Sequence, residues 1–186
     1  MLTRAFHRWE RRLASTATNR TPRPFEWGLD WLDDQRLPAG DTRHALQTWG
    51  QSTVADSAAF YRVTPADDYA LSGDRLTFTS AVETPHAANN TVVARYFPEP
   101  SPRGRRRAVL VLPQWNSDVE GHVALCRLLN RFGITALRLS LPYHDARMPP
   151  ELSRADYIVS ANVGRTAQVC RQAVLDARRA IAWLHA

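Results

Sequence analysis

The strongest constraint on the fold is a five-residue apolar run, Ala108-Val109-Leu110-Val111-Leu112, without polar alternation. A strand with one wet face alternates, whereas a strand covered on both faces, as in a parallel sheet, does not. The run stops at Pro113-Gln114-Trp115-Asn116, where proline and asparagine favour a turn. Ser117-Asp118-Val119-Glu120 then has the spacing of a capping box and predicts a helix over about 118–132. Gly133 stands where a left-handed residue would close that helix, and Ile134–Leu141 reads as the next strand. Together these make one βαβ unit. Its corner presents backbone N–H groups at the carboxyl end of a buried strand, where open α/β sheets place their sites.

Upstream the period changes. Leu76, Phe78 and Ser80 alternate with Thr77 and Thr79, and Thr91–Phe97 is a second β-prone run. Pro85 and Asn89-Asn90 lie between them, so a hairpin or a pair of neighbouring strands is predicted. A second helix, about 166–185, aligns Val169, Ala173, Ala177, Ile181 and Leu184, with Arg171, Gln172, Arg178 and Arg179 on the opposite side. The helix over 118–132 likewise collects Val119, Val123, Leu125, Cys126, Leu129 and Phe132 on one broad face. The class is therefore α/β: a leading hairpin, a βαβ unit and a following helix, in a sheet expected to be incomplete. A sheet-covering helix without a following strand reads as an interrupted unit, so residues 61–186 are expected to be part of a larger core.

Residues 1–60 read as a separate extension. Leu2 to about Leu13 forms a short basic helix, and Thr16–Pro24 is a polar connector. Trp27 and Trp31, at i and i+4, share one face of a helical turn and serve as packing anchors. Residues 33–60 are irregular or weakly helical, with Pro38-Ala39-Gly40 as a breaker.

Composition narrows the functions. With 44% hydrophobic and 23% charged residues in 186, the chain is an ordinary globular one. No apolar run approaches the roughly 20 residues of a membrane span. The four arginines of Met1–Leu13 precede no apolar core, so neither a secretory nor a twin-arginine signal fits. A short amphipathic targeting helix is the lesser reading of that stretch, and a cytoplasmic location the greater. The formal charge is +6, yet the chain has no lysine: all 24 basic residues are arginine, a bias of codon usage rather than of phosphate binding. The densest cluster, Arg103-Gly104-Arg105-Arg106-Arg107, reads as a solvated loop without interleaved aromatics. Neither a nucleic acid nor a membrane is expected as partner. Cys126 and Cys170 fall on the apolar sides of their helices and read as buried thiols. His122 and Cys126 have the i, i+4 spacing of two metal ligands, but no further ligand motif completes a site. Phosphate-binding and dinucleotide fingerprints are also missing from the sequence, so no cofactor is expected. Asn19-Arg20-Thr21 and Asn89-Asn90-Thr91 match glycosylation acceptors and are read as chance.

Taken in order, the two leading strands, Ala108–Leu112, Gln114-Trp115-Asn116-Ser117-Asp118, the helix, Ile134–Leu141, Pro142-Tyr143-His144-Asp145 and the long second helix resemble the front of the α/β-hydrolase superfamily. The segment Arg23-Pro24-Phe25-Glu26-Trp27-Gly28-Leu29-Asp30-Trp31-Leu32 resembles the N-terminal region of an abhydrolase-domain subgroup. The likeness covers roughly residues 20–186. It implies a serine hydrolase acting on a small ester-like substrate, in which the turn after the third strand donates one oxyanion-hole N–H. By position that donor is Trp115, with Gln114 and Asn116 as alternatives; many relatives carry His-Gly where this chain has Pro113-Gln114. Tyr143, His144 and Asp145, following the second core strand, are candidates to line the substrate pocket. They are equally read as a surface loop. The superfamily's nucleophile sits on a Gly-x-Ser-x-Gly elbow one strand after the second helix. None of the eight glycines here brackets a serine in that way. The acid and the histidine lie further on in such proteins, so residues 1–186 alone are expected to be inactive. The alternative is a non-catalytic relic or interaction module of the same fold. In both readings the strand at 108–112 is left as an open edge that invites self-association.

Overall fold

The computed structural model describes residues 2–16, 23–32, 41–100 and 106–186. It has five α-helices among these residues, α1 (Leu2–Thr16), α2 (Thr42–Ala55), α3 (Ser57–Phe60), α4 (Val123–Arg131) and α5 (Val163–His185). Five strands, β1 (Ala70–Ser72), β2 (Arg75–Thr79), β3 (Thr91–Phe97), β4 (Ala108–Val111) and β5 (Thr135–Leu139), form one mixed sheet in the order β1-β2-β3-β5-β4. The first three strands are an antiparallel meander, β3 pairs antiparallel with β5, and β4 pairs parallel with β5 from Ala108↔Thr135 to Val111↔Arg138. The chain is thus mixed α/β, and the continuous apolar run is a parallel strand at one edge of the sheet.

Side-chain alternation along β5 explains how both faces are covered. Leu137 and Leu139 join Leu76, Phe78, Val92 and Ala94 in a cluster closed by Ala180 of α5. Ala136 joins Phe97 and Val111 in a second cluster, closed by Val123 and Cys126 of α4. The meander goes beyond the predicted hairpin by one short strand, β1, turned tightly into β2 at Gly73, whose φ of 61° suits a residue without a Cβ.

Several sequence expectations are corrected. Residues 42–55 form a regular helix, because Asp41 accepts the amide of His44 and so caps it. Trp49 and Phe60 pack with Leu32 against Ala167 of α5, which ties this segment to the sheet-covering helix. Trp27 and Trp31 share no helical face: only Leu29–Trp31 is a 3-10 turn, entered through Gly28 at φ 67°. The stretch before that turn bonds instead to the start of α5, with Glu26 N–H on Ala161 O, Val163 N–H on Glu26 O and Gly164 N–H on Trp27 O. A Cβ on Gly164 would stand 1.9 Å from the carbonyl oxygen of Gly28, so this close approach requires glycine. On α5 the buried line is rotated from the predicted stripe: Gln172 and Asp176 are fully buried and Ile181 is exposed. Those two polar side chains turn inward to meet buried partners of the sheet. Cys126 is buried as expected, but Cys170 is exposed. Asn89 is fully buried, which removes Asn89-Asn90-Thr91 as an accessible acceptor. Asn19-Arg20-Thr21 and Arg103–Arg105 lie outside the described residues. Among the described helices none is long and apolar enough to cross a membrane.

Candidate functional site

The corner after β4 is built differently from the expected strand–turn–capped helix. Helix α4 starts only at Val123, and its N-cap residue, His122, is left-handed with no side-chain cap. Residues 119–122 are turns, and Val119, predicted on the buried face, is exposed, as are Leu125 and Phe132. The physical reason is Arg138. This arginine stands in the middle of β5, beneath the loop, with 3% of its side chain exposed. Its Nε donates to Gly121 O at 2.7 Å and its Nη2 to Asp118 O, taking carbonyls that a helix starting at 118 would need. The Asp118 carboxylate meanwhile accepts Glu120 N–H and closes its own turn. The third arm of the guanidinium, Nη1, meets Asp145 Oδ2 at 3.0 Å, and Ser140 Oγ donates to the same oxygen.

Four further contacts fix residues 115 and 116. The Asn116 side chain accepts the amide of Ala155 at 3.1 Å, and the Trp115 indole N–H donates to the carbonyl of the same Ala155 at 3.0 Å. The Arg154 guanidinium lies 4.7 Å from the Trp115 ring centroid. Asn116 holds φ 58°, a left-handed conformation that asparagine tolerates better than most residues. Its own N–H donates to His144 Nε2 at 3.0 Å. Because Nε2 accepts, the His144 proton is on Nδ1, where it is given to Pro142 O at 2.9 Å. His144 is fully buried and burial lowers its pKa, opposed by its bond to Pro142 O and by the Asp145 charge. A neutral imidazole with both nitrogens engaged is a strut for the loop, not a base.

These clamps use the amide of Asn116 and leave its neighbours free. Among the described residues the N–H groups of Gln114 and Trp115 donate to no acceptor. Of the three sequence-predicted donors, Trp115 and Gln114 therefore offer an amide, while Asn116 spends its own on His144. The corner thus carries two adjacent unspent amides on a loop that its neighbours hold in place. It does so without a helix N-terminus at its back, since α4 begins eight residues beyond Trp115.

Tyr143, His144 and Asp145 do follow β5, yet all three side chains are buried in protein. Tyr143 packs with Leu152 and Val169, and its hydroxyl lies 3.1 Å from His86 Nδ1. His86 Nε2 in turn lies 3.3 Å from Glu151 Oε1. Burial raises the Tyr143 pKa, which keeps the phenol protonated. A cleft of ≈ 350 Å³ opens between Trp31, Pro85 and Gln168, and one of ≈ 620 Å³ beside Tyr96, Leu110 and Trp183. Residues 113–116 and 143–145 line neither of them. The three residues after β5 therefore act here as supports behind the loop.

Sequence reasoning passed over the polar network that underlies this support. Arg147, fully buried, donates to Ser140 O, to Asn89 O and, at 2.8 Å, to Asp176 Oδ2. Asp176 also accepts Ser80 Oγ and the amide of Ala81, while Gln172 bonds Ser80, Val82 O and Asn89. Asn89 Oδ1 then accepts Tyr143 N–H. The signal available was a charged residue interrupting an apolar stripe, Asp176 on α5 and Arg138 within Thr135–Leu139. Burial raises the Cys126 thiol pKa, leaving it a poor nucleophile. Groups of three or more metal-ligating side chains are not found among the described residues. Compared with family models and with curated proteins, the chain matches none.

Proposed function

We propose that residues 1–186 are the front of an α/β-hydrolase-fold protein, an ester-type serine hydrolase of the cytoplasm acting on a small ester-like substrate. In this reading the Trp115 amide, with Gln114 beside it, receives the carbonyl oxygen as it becomes an oxyanion. The serine nucleophile, the acid and the histidine are contributed from outside residues 1–186, through a strand added at the free edge of β4. The observation that carries the reading is the clamped corner: a loop at the carboxyl end of a parallel strand, fixed by the side chains of Arg138 and His144 and by the backbone of Ala155, with two adjacent amides unspent. Fixed donors of this kind are worth roughly 2.7–4 kcal/mol each to acyl transfer. The far side of β4, at the end of the sheet order β1-β2-β3-β5-β4, is where the added strand would pair. Fluorophosphonate labelling tests the proposal. A protein extended beyond Ala186 should label at a serine, and the 186-residue chain should not. Labelling of the short chain would overturn the placement of the nucleophile.

A second reading, an interaction module without catalysis, draws on the same edge. Val109 on β4 and Leu112 just after it are exposed, and the outer edge of this apolar strand, paired only with β5 among the described strands, can accept a strand from a partner or a second copy. Sedimentation separates the two. A concentration-dependent oligomer that is abolished by Val109→Lys, with no labelling of the extended protein, favours the module.

A further inference from the structure

The N-terminal helix has no role in the reading above, and its surface carries its own chemistry. From the structure we infer that α1 is an interfacial anchor that binds an anionic lipid surface. Phe6, Trp9 and Leu13 fall at i, i+3 and i+7, one stripe of the helix, and are 61%, 58% and 50% exposed. Arg4 and Arg11 lie opposite this stripe, Arg12 flanks it and Arg8 lies further round on the same side; the single acidic residue, Glu10, borders the other side and pairs with His7. Among the described residues the hydrogen bonds of its side chains stay within the helix, from Ser15 and Thr16 to carbonyls of Arg12 and Leu13, and its described side chains are all exposed. An apolar stripe left in water beside a cationic flank is satisfied by one environment in full. Lipid tails take the Phe, Trp and Leu side chains, the indole of Trp9 sits at the headgroup level, and anionic headgroups face the arginines. A nucleic acid would pair the arginines and leave the stripe in water. A second α1 would cover the stripe while bringing four arginines against four.

Co-flotation of the full chain with vesicles tests the inference. Vesicles of phosphatidylcholine alone are compared with an equal mixture of phosphatidylcholine and phosphatidylglycerol. The expected result is binding to the mixed vesicles at least about tenfold tighter than to the neutral ones, weakened by salt. The double variant Phe6→Ser, Trp9→Ser should reduce that binding by about tenfold or more, and Arg8→Gln, Arg12→Gln should reduce it on mixed vesicles alone. Because the altered side chains are exposed and bonded to no other element, the melting of the sheet should be unchanged in both variants, which separates lost anchoring from lost folding. Failure to bind mixed vesicles overturns the inference, as does equal binding to neutral ones. Undiminished binding by the Phe6→Ser, Trp9→Ser variant would also overturn it, by reducing the effect to attraction between opposite charges. So would self-association through this stripe with no lipid binding, which would make a second copy the occupant.

Discussion

The loop from Pro113 to His122 and the helix α1 are opposite solutions to the problem of order. The helix is regular throughout, each turn following from its own residues, and its described side chains are all exposed. The loop has no regular structure, yet Ala155, His144 and Arg138 each hold it through a named hydrogen bond. Regularity and anchoring are therefore separate properties. A local repeat of apolar side chains makes a helix, whereas a fixed irregular loop requires partners brought from a distance by the sheet. Function can be placed on either. The anchored loop offers backbone donors that do not reorganise, and the unanchored helix offers a surface that some other phase must cover.

The largest test of this contrast removes the strut under the loop. Arg138→Met leaves Asp145 buried with Ser140 as its remaining partner, leaves the Gly121 carbonyl without its donor, and leaves Asp118 O with the Gly121 N–H in place of the guanidinium. Removal of one member of a buried ion pair typically destabilises by about 3–5 kcal/mol. Urea unfolding should show a loss of that order. The double variant Arg138→Met, Asp145→Leu should recover only part of it, because the Gly121 carbonyl stays unpaired and Asp118 O has lost its charged donor; full recovery would mean that Arg138 serves the carboxylate and not the loop. Asn116 is the next test. Alanine there loses the bond to Ala155 and must hold a left-handed φ, about 1 kcal/mol from each source. Glycine loses only the bond, so Asn116→Gly should cost about half as much as Asn116→Ala. Equal losses would show that the backbone at 116 is unstrained.

How much of each region could be read beforehand follows from the same contrast. The helix α1, the apolar strand at 108–111 and the parallel partner at 135–139 were legible because each depends on side chains close together in sequence. The start of α4 was not: Ser117-Asp118-Val119-Glu120 has the local form of a cap, but Arg138, seventeen residues beyond Gly121, takes the carbonyls. Gln172 was misplaced on the outer side of α5 for a similar reason, since its partners Ser80, Val82 and Asn89 lie more than eighty residues away. At the candidate site the resemblance offered three adjacent amides, those of Gln114, Trp115 and Asn116. Only the contact between Asn116 N–H and His144 separates the spent amide from the two free ones.

The same contact makes the loop sensitive to acid. Burial lowers the pKa of His144, so the folded chain refuses a proton that the unfolded histidine accepts below about pH 6.5. The stability this contributes is present above that pH. It is lost as the pH falls toward the lowered value, by up to about 1.4 kcal/mol per pH unit. Protonation of Nε2 also ends its acceptance of the Asn116 amide, so the loop should loosen in step. Denaturant midpoints measured between pH 7.5 and 5 (roughly the span over which histidine titrates) should fall in the native chain and flatten in His144→Gln. A slope unchanged by the substitution would assign the acid sensitivity to other groups.

The smallest expected effect lies at the other pole of the comparison. Phe6→Ser and Trp9→Ser remove large apolar side chains, changes that in a core would cost several kcal/mol. On α1 both side chains are already in water, so the unfolding free energy should move by less than about 0.5 kcal/mol. A loss above 2 kcal/mol (roughly that of a partly buried apolar side chain) would mean that α1 packs on the body in solution. The comparison would then collapse, because the helix would be anchored after all and its apolar stripe would already be covered. A near-zero change instead leaves Phe6 and Trp9 as exposed apolar side chains with no stabilising role in the fold, as the lipid anchor inferred above requires.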